Sequence, residues 1–277
     1  MVMMKLAILL TVHNRREKTL KCLECLYACP IPSGYSLDVY MTDDGCTDGT
    51  PDSVREKYPS VHIINGDGTL YWNRGMWTAW NEAANKDYDS FLWLNDDTYL
   101  YPNALSALIS ASDDYANQAI VVGATEDSDH TSLTYGGRIN RKIPHTSGKP
   151  VEVEYFNGNV VLVPQYVFHQ LGNLEYHFRH SKGDFDYSFR ARKTGIKMIQ
   201  VGEVVGVCDV HANIDKWCDP KISFAERWKA MWSPTGMSPV EFFYFDKKHK
   251  GYGSAVTHFF SIILRCLFPS LWLRYKA

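Results

Sequence analysis

Four short apolar runs, each ending in polar residues, constrain this chain more than any other feature. Leu6–Val12, Ser36–Thr42, Val61–Asn65 and Ser90–Leu94 have the length and β-prone composition of strands. Helical patterns around Glu17–Ala28, Thr50–Lys57 and Arg74–Ala84 separate them. Such alternation predicts βαβ units and a parallel sheet, and in open sheets of this kind ligands sit beyond the carboxyl ends of the strands. The polar tips are Thr11-Val12-His13-Asn14, Asp43-Asp44-Gly45, Gly66-Asp67-Gly68 and Asn95-Asp96-Asp97, so all four are expected to share one edge.

The 277 residues, 45% hydrophobic and 14% aromatic, suffice to bury the core of one large domain, with or without an appendage. A net charge of −2, from 29 basic and 31 acidic residues, gives no general footprint for nucleic acid, so any anionic ligand must be met locally. The opening MVMMKLAILLTVHN passes from a short apolar run straight into polar residues without a small-residue cleavage site, and reads as a buried first strand, not a signal peptide. No uncharged apolar stretch reaches the ~18 residues of a membrane span. Of seven cysteines, Cys22, Cys25 and Cys29 fall on one helical face. They read as buried thiols in a reduced, cytosolic setting, since no fourth ligand at a recognisable spacing completes a metal site.

Beyond the fourth strand, residues 123–155 are rich in Gly, Ser, Thr and Asp and read as loops and short strands. Apolar character returns at Tyr155–Pro164, followed by helical patterns at Gln165–Leu171 and Asp184–Thr194 and a strand at Lys197–Val201, with β-prone sequence to Val210. After His211 the pattern is irregular and aromatic, and no internal repeat is visible.

Two segments carry chemistry. DDGCTDGT, 43–50, is either a strand-to-helix loop with Asp48 or Thr50 near a helix N-cap, or a site where Asp43 accepts from a nucleotide base or ribose hydroxyl. Adjacent Asp96 and Asp97 repel, and each raises the other's pKa unless a cation or donors compensate. A hard divalent ion bridging carboxylate and phosphate oxygens would resolve the conflict; a solvated turn ahead of Pro102 is the plainer reading.

Taken in order, TVHNR (11–15), DDGCTDGT (43–50), NRGMWTAWN (73–81), LNDD (94–97) and GDFDYSFRARKTG (183–195) resemble the motifs of the family-2 glycosyltransferases over roughly residues 5–212. The resemblance implies a GT-A fold, an α/β architecture with a Rossmann-like mixed sheet flanked by helices. A catalytic domain at 1–212 and a C-terminal helical extension at 213–277 follow from it. It also implies that Thr11 and Asp43 contact the base and ribose, that Arg74 lies near the diphosphate or base, and that Asp96 holds the ribose or donor sugar. Asp97, with His211, would hold Mn²⁺ or Mg²⁺. Asn95 stands where many members have the first Asp of Asp-x-Asp. Asp184 matches the catalytic base, with Asp186 as fallback; the preceding acid of the family's Glu-Asp pair is Gly183 here, and both aspartates would equally suit the first turn of a helix.

The implied reaction is inverting transfer of a sugar from a nucleotide-sugar to a hydroxyl of a glycan or lipid-linked acceptor in cell-surface polysaccharide assembly. The Trp-rich LYWNRGMW is most like rhamnosyltransferase-type members, which suggests a dTDP-sugar donor, with UDP-hexoses open. A nucleotidyltransferase would show glycines where TVHNRREK has none; a carbohydrate-binding protein with a degenerate site is the non-enzymatic alternative. Within 254–275, Ser254, Thr257, His258, Ser261 and Arg265 form one polar stripe on an apolar helix flanked by lysines. It would lie in a membrane interface at the inner face of the membrane, or pack on the core or on a second subunit of a homodimer.

Overall fold

The computed structural model describes residues 3–210 and 215–270. The chain runs β1 (Met4–Val12), α1 (Arg16–Ala28), β2 (Tyr35–Asp43), α2 (Thr50–Lys57), β3 (His62–Asn65), α3 (Tyr71–Ala83), β4 (Ser90–Leu94), β5 (Tyr99–Leu100), α4 (Ala104–Asp114), β6 (Ile120–Glu126), β7 (Leu133–Tyr135) and β8 (Gly137–Arg138). It continues β9 (Val151–Glu152), β10 (Tyr155–Phe156), β11 (Val160–Pro164), α5 (Gln165–Leu171), α6 (Gly183–Lys193) and β12 (Met198–Val207). A 3₁₀ turn at Lys216–Cys218 then leads to α7 (Phe224–Trp232), α8 (Pro239–Lys250) and α9 (Tyr252–Leu267).

The central sheet has the order β3-β2-β1-β4-β11-β6-β12-β5. Its first four strands are parallel, as their alternation with helices requires, and β11 then runs antiparallel between β4 and β6. The sheet is therefore mixed. Register aligns the tips: Val12 pairs with Asp43, and Asp43 with Asn65, so the polar residues that follow these strands emerge together.

The near-continuous apolar run of β1 is explained by burial on both faces. Leu6, Ile8, Leu10 and Val12 join a core with α1 and α4, while Ala7 and Leu9 meet the other core with Trp80, Trp93 and Tyr187. β4 repeats the division, Leu92 and Leu94 to one side and Phe91 and Trp93 to the other. Cys22 and Cys29 are buried in the first core, and Cys25 is half-buried on the same helix.

The stretch read as loops and short strands begins inside a strand: Gly123 lies in β6, its hydrogen faces β12, and a Cβ there would lie 2.5 Å from Val205 Cγ2. The helices of the C-terminal extension are α7, α8 and α9: Ser223 and Glu226 form a reciprocal capping box at the start of α7, and Pro239 opens α8.

α3 is set directly on the tips of the first two strands. Thr42 Oγ1 donates to the Gly75 carbonyl at 2.8 Å, and a Cβ on Gly75 would stand 2.0 Å from Thr11 Oγ1. Gly75→Ala should therefore lower stability by roughly 1–3 kcal/mol in chemical denaturation, the usual cost of overpacking, and no loss would contradict this packing.

Candidate active site

A cleft of about 620 Å³ opens at the carboxyl edge of β1 and β4 and extends to the N-terminus of α6. Thr11, Asp96, Asp97 and Asp184, four of the residues singled out from sequence, line it together with Asn95. Two others do not line it. Asp43 is buried at the tip of β2, where its Oδ1 accepts the Cys46 N–H at 2.8 Å. Arg74 points along α3 to the Tyr176 and His177 carbonyls at 2.9 and 3.4 Å, with its guanidinium 4.8 Å from the Tyr176 ring. His211 lies outside the described residues.

The adjacent acids already have a cation. One Arg15 nitrogen donates to Asp96 Oδ1 at 3.2 Å and to Asp97 Oδ2 at 2.8 Å, tying the loop after β1 to the end of β4. Thr19 Oγ1 adds a longer contact to Asp96 at 3.4 Å. Burial still dominates: it raises the Asp96 carboxyl to about 6 despite the arginine, with Asp97 adding to the rise. Cys208, a thiol that burial pushes up to about 11 and so keeps protonated, faces Asp97 across 3.8 Å.

The neighbouring acid pair in DDGCTDGT divides its labour. Asp44 accepts three backbone N–H groups, from Gly68 and Leu70 on one oxygen and Tyr71 on the other, at 2.9, 3.1 and 2.8 Å. It thereby clips the loop after β3 to the loop after β2. The loops touch so closely that a Cβ on Gly45 would lie 2.8 Å from Gly68 Cα, and both glycines have positive φ.

Asn95 is engaged from inside the cleft, accepting Trp72 Nε1–H on its Oδ1 at 2.7 Å. The amide thus fixes the indole that forms one wall. Trp72 in turn requires Gly158, whose Cβ would stand 2.6 Å from the ring.

On the opposite side, Asp184 accepts N–H groups from Phe185 at 2.8 Å and Gly158 at 3.1 Å. Burial raises its pKa, while those N–H groups and the nearby Lys182 charge act the other way. The absence of an acid at Gly183 has a steric cause: a Cβ there would be 1.7 Å from Asn73 Oδ1, in a site Asn73 fills while donating to the Glu175 and Phe178 carbonyls. Asp186 faces away, fully buried against Arg190, Lys248 and His249 at 2.8, 2.8 and 2.7 Å. It fastens α6 to α8, which leaves Asp184 as the acid of that helix that reaches the cleft.

Sequence reasoning left three lining side chains without a role. Arg15 sits in the quoted TVHNR, and the acid pair's need for a cation was the signal that could have found it. Lys182 precedes Asp184 in a left-handed conformation (φ 77°), its ammonium 4.7, 4.5 and 5.3 Å from the ring centroids of Phe185, Phe242 and Phe245, with its pKa pushed down by burial. His180 is likewise held down by burial and by the Arg15 charge.

Two adjacent hard carboxylates on a cleft wall suit Mg²⁺ or Mn²⁺, which commonly take one or two protein carboxylates and fill the remaining positions with phosphate oxygens and water. Among the described residues no group of three or more His, Cys, Asp and Glu is placed to hold a metal ion.

Residues 7–165 match the family model described as glycosyl transferase family 2. No curated protein matches the sequence. The fold is similar to the crystal structure of S. aureus TarS, with a TM-score of 0.58 and 13% identity over 87% of this chain and 40% of that one. S. aureus TarS 1-349 in complex with UDP-GlcNAc gives 0.57 and 13% over 87% and 67%, and in complex with UDP gives 0.55 and 14% over 87% and 66%. The chain therefore spans less than half of the longest of these relatives.

Because the folded-state pKa of Asp96 lies above its unfolded value of 3.8, its favourable contribution to stability is present below about pH 4 and lost as pH rises through about 6. Asp96→Asn, a mimic of the neutral form, should be more stable than the parent near neutral pH by up to roughly 3 kcal/mol. The gap should close toward pH 4 in urea titrations; a pH-independent difference would contradict the assignment.

Proposed function

The chain belongs to glycosyl transferase family 2, and from that premise we propose that it transfers a sugar from a nucleotide-sugar donor to a hydroxyl of a glycan or lipid-linked acceptor, inverting the anomeric centre. The observation that supports this reading most is the convergence in one cleft of the Asp96-Asp97 pair with Asp184, half-buried at the start of α6.

Asp184 would take the proton of the attacking hydroxyl, a role favoured by a carboxyl that burial holds above the usual carboxylate value. With one such base and no nucleophile assigned beside it, direct displacement is the simplest chemistry. Thr11 would meet the base and ribose, Asp96 the donor's ribose or sugar; Asp43, which accepts the Cys46 N–H, does not line the cleft and would act there only by shaping the tip of β2. Asp97, with His211, would hold the divalent ion, which when bound neutralises charge on the departing diphosphate. Arg74 is engaged with backbone carbonyls, so the diphosphate would find its cations in Arg15 and Lys182, both on the cleft wall. TarS, which shares the fold, was crystallised with UDP and UDP-GlcNAc; a UDP-hexose and a dTDP-sugar such as dTDP-rhamnose are the donors to compare here. The place of action would be the cytoplasmic side of the membrane, in surface polysaccharide assembly; among the described residues no helix is long and apolar enough to cross it.

Thermal denaturation with UDP or dTDP and Mn²⁺ tests the reading. One of them should raise the melting temperature of the parent and leave Asp97→Ala unmoved. Asp184→Asn should keep the nucleotide response yet slow donor cleavage by about 10²–10⁴-fold, the usual worth of a general base. Indifference to every nucleotide, or parental turnover in Asp184→Asn, would defeat it.

A further inference from the structure

The last helix buries Ala255, Ile262 and Cys266 against the protein and leaves a second apolar row outside. His258 Nδ1 meets Asp246 Oδ2 of α8 at 2.5 Å, and the other oxygen of Asp246 takes Lys250 at 2.8 Å. Ser254, Ser261 and Arg265 are half-buried along the same flank, so the polar stripe turns largely toward the protein. Toward its C-terminal end the exposed positions are instead Phe260, Leu264 and Phe268, which are 59, 55 and 56% exposed, with Leu267 between them. Beside them Val240, Phe243, Val256 and Phe259 shape a shallow apolar dimple of about 230 Å³ with Phe260. α7 carries a second exposed row, Phe224, Trp228 and Trp232 at i, i+4 and i+8, with successive rings 5.6 and 5.9 Å apart.

Charge identifies what such a surface fits. Residues 215–277 hold ten Lys and Arg against five Asp and Glu, in a chain whose net charge is −2, so the rest of the protein is acidic. Exposed Lys247 shares the Val240 and Phe243 face of α8 by helical spacing, and Lys221 and Lys229 flank the aromatic row of α7. A second copy would bring two basic segments together at a cost; an anionic bilayer meets the same segment with opposite charge and receives the Phe, Leu and Trp side chains at headgroup depth.

We infer that α7, α8 and α9 form a docking surface for an anionic lipid membrane. Thr235, three residues beyond Trp232, and Phe242 of α8 both line the cleft, so docking would hold the cleft close to the headgroups. An acceptor anchored in the bilayer through its lipid would then present its sugar to Asp184; this last step, and only this step, rests on the transfer reading.

The test is co-flotation of the full chain with vesicles of phosphatidylcholine, with and without an equal part of phosphatidylglycerol, alongside a Phe260→Glu, Leu264→Glu double variant. Both positions are more than half exposed, so the variant should keep the parental melting temperature and nucleotide response. The parent should favour the anionic vesicles by about tenfold or more and lose that preference in high salt, and the variant should bind about tenfold more weakly. Equal flotation of parent and variant, no preference for anionic lipid, or a dimer in ultracentrifugation that the variant splits without any vesicle binding would overturn the docking surface. Vesicle binding by a protein that ignores every nucleotide would leave docking standing and count against the transfer reading instead.

Discussion

One guanidinium holds the edge on which this cleft is built. β4 runs from a dry core into two adjacent carboxylates, the first almost wholly buried, and such a pair is unfavourable without positive charge nearby. Arg15 meets both, and because it follows β1 while the acids follow β4, the ion pair also fixes the spacing of two neighbouring strand tips. Asp44 does the same for β2 and β3 by collecting three N–H groups from the loop before α3. Charges that would splay the edge apart are thereby made to join it.

The far wall depends on a second set of ion pairs. Asp186 with Lys248 and His249, and Arg179 with Glu241 at 2.6 Å, bind the region of α6 to α8. α8 is thus part of the cleft, which Phe242 reaches directly. Held from behind, the first turn of α6 can present Asp184 and Lys182 inward, and the left-handed backbone at Lys182 is the kind of strain a tightly packed surround sustains.

The parallel half of the sheet and its shared polar edge were legible because β1, β2 and β4 each pair a buried run with a polar tip, and β3 a more exposed β-prone run with one. Motif order then identified the family, which the match over 7–165 supports independently. What stayed hidden was governed by contacts distant in sequence. Gly123 opens a stretch read as loops and short strands until Val205 is seen to need its space in β6, and Gly183 reads as a lost acid until Asn73 is seen to occupy its place. Arg74 and Asp43 show the same limit, since a motif position cannot reveal that a carbonyl at Tyr176 or an N–H at Cys46 has engaged the side chain. In α9 the periodicity was legible and the direction its polar stripe faces was left open, because that depends on a partner distant from the stripe's own pattern, Asp246, which takes His258.

The central claim is that the carboxyl edge of β1, β2 and β4 receives a nucleotide-sugar. A crystal structure determined with a nucleotide-sugar and Mn²⁺ tests it most directly. The account predicts the base and ribose beside Thr11 and the tip of β2, the diphosphate where Asp96, Asp97 and Arg15 meet, and the anomeric carbon facing the Asp184 side of the cleft. A nucleotide bound elsewhere on the protein, with that edge unchanged, would contradict it.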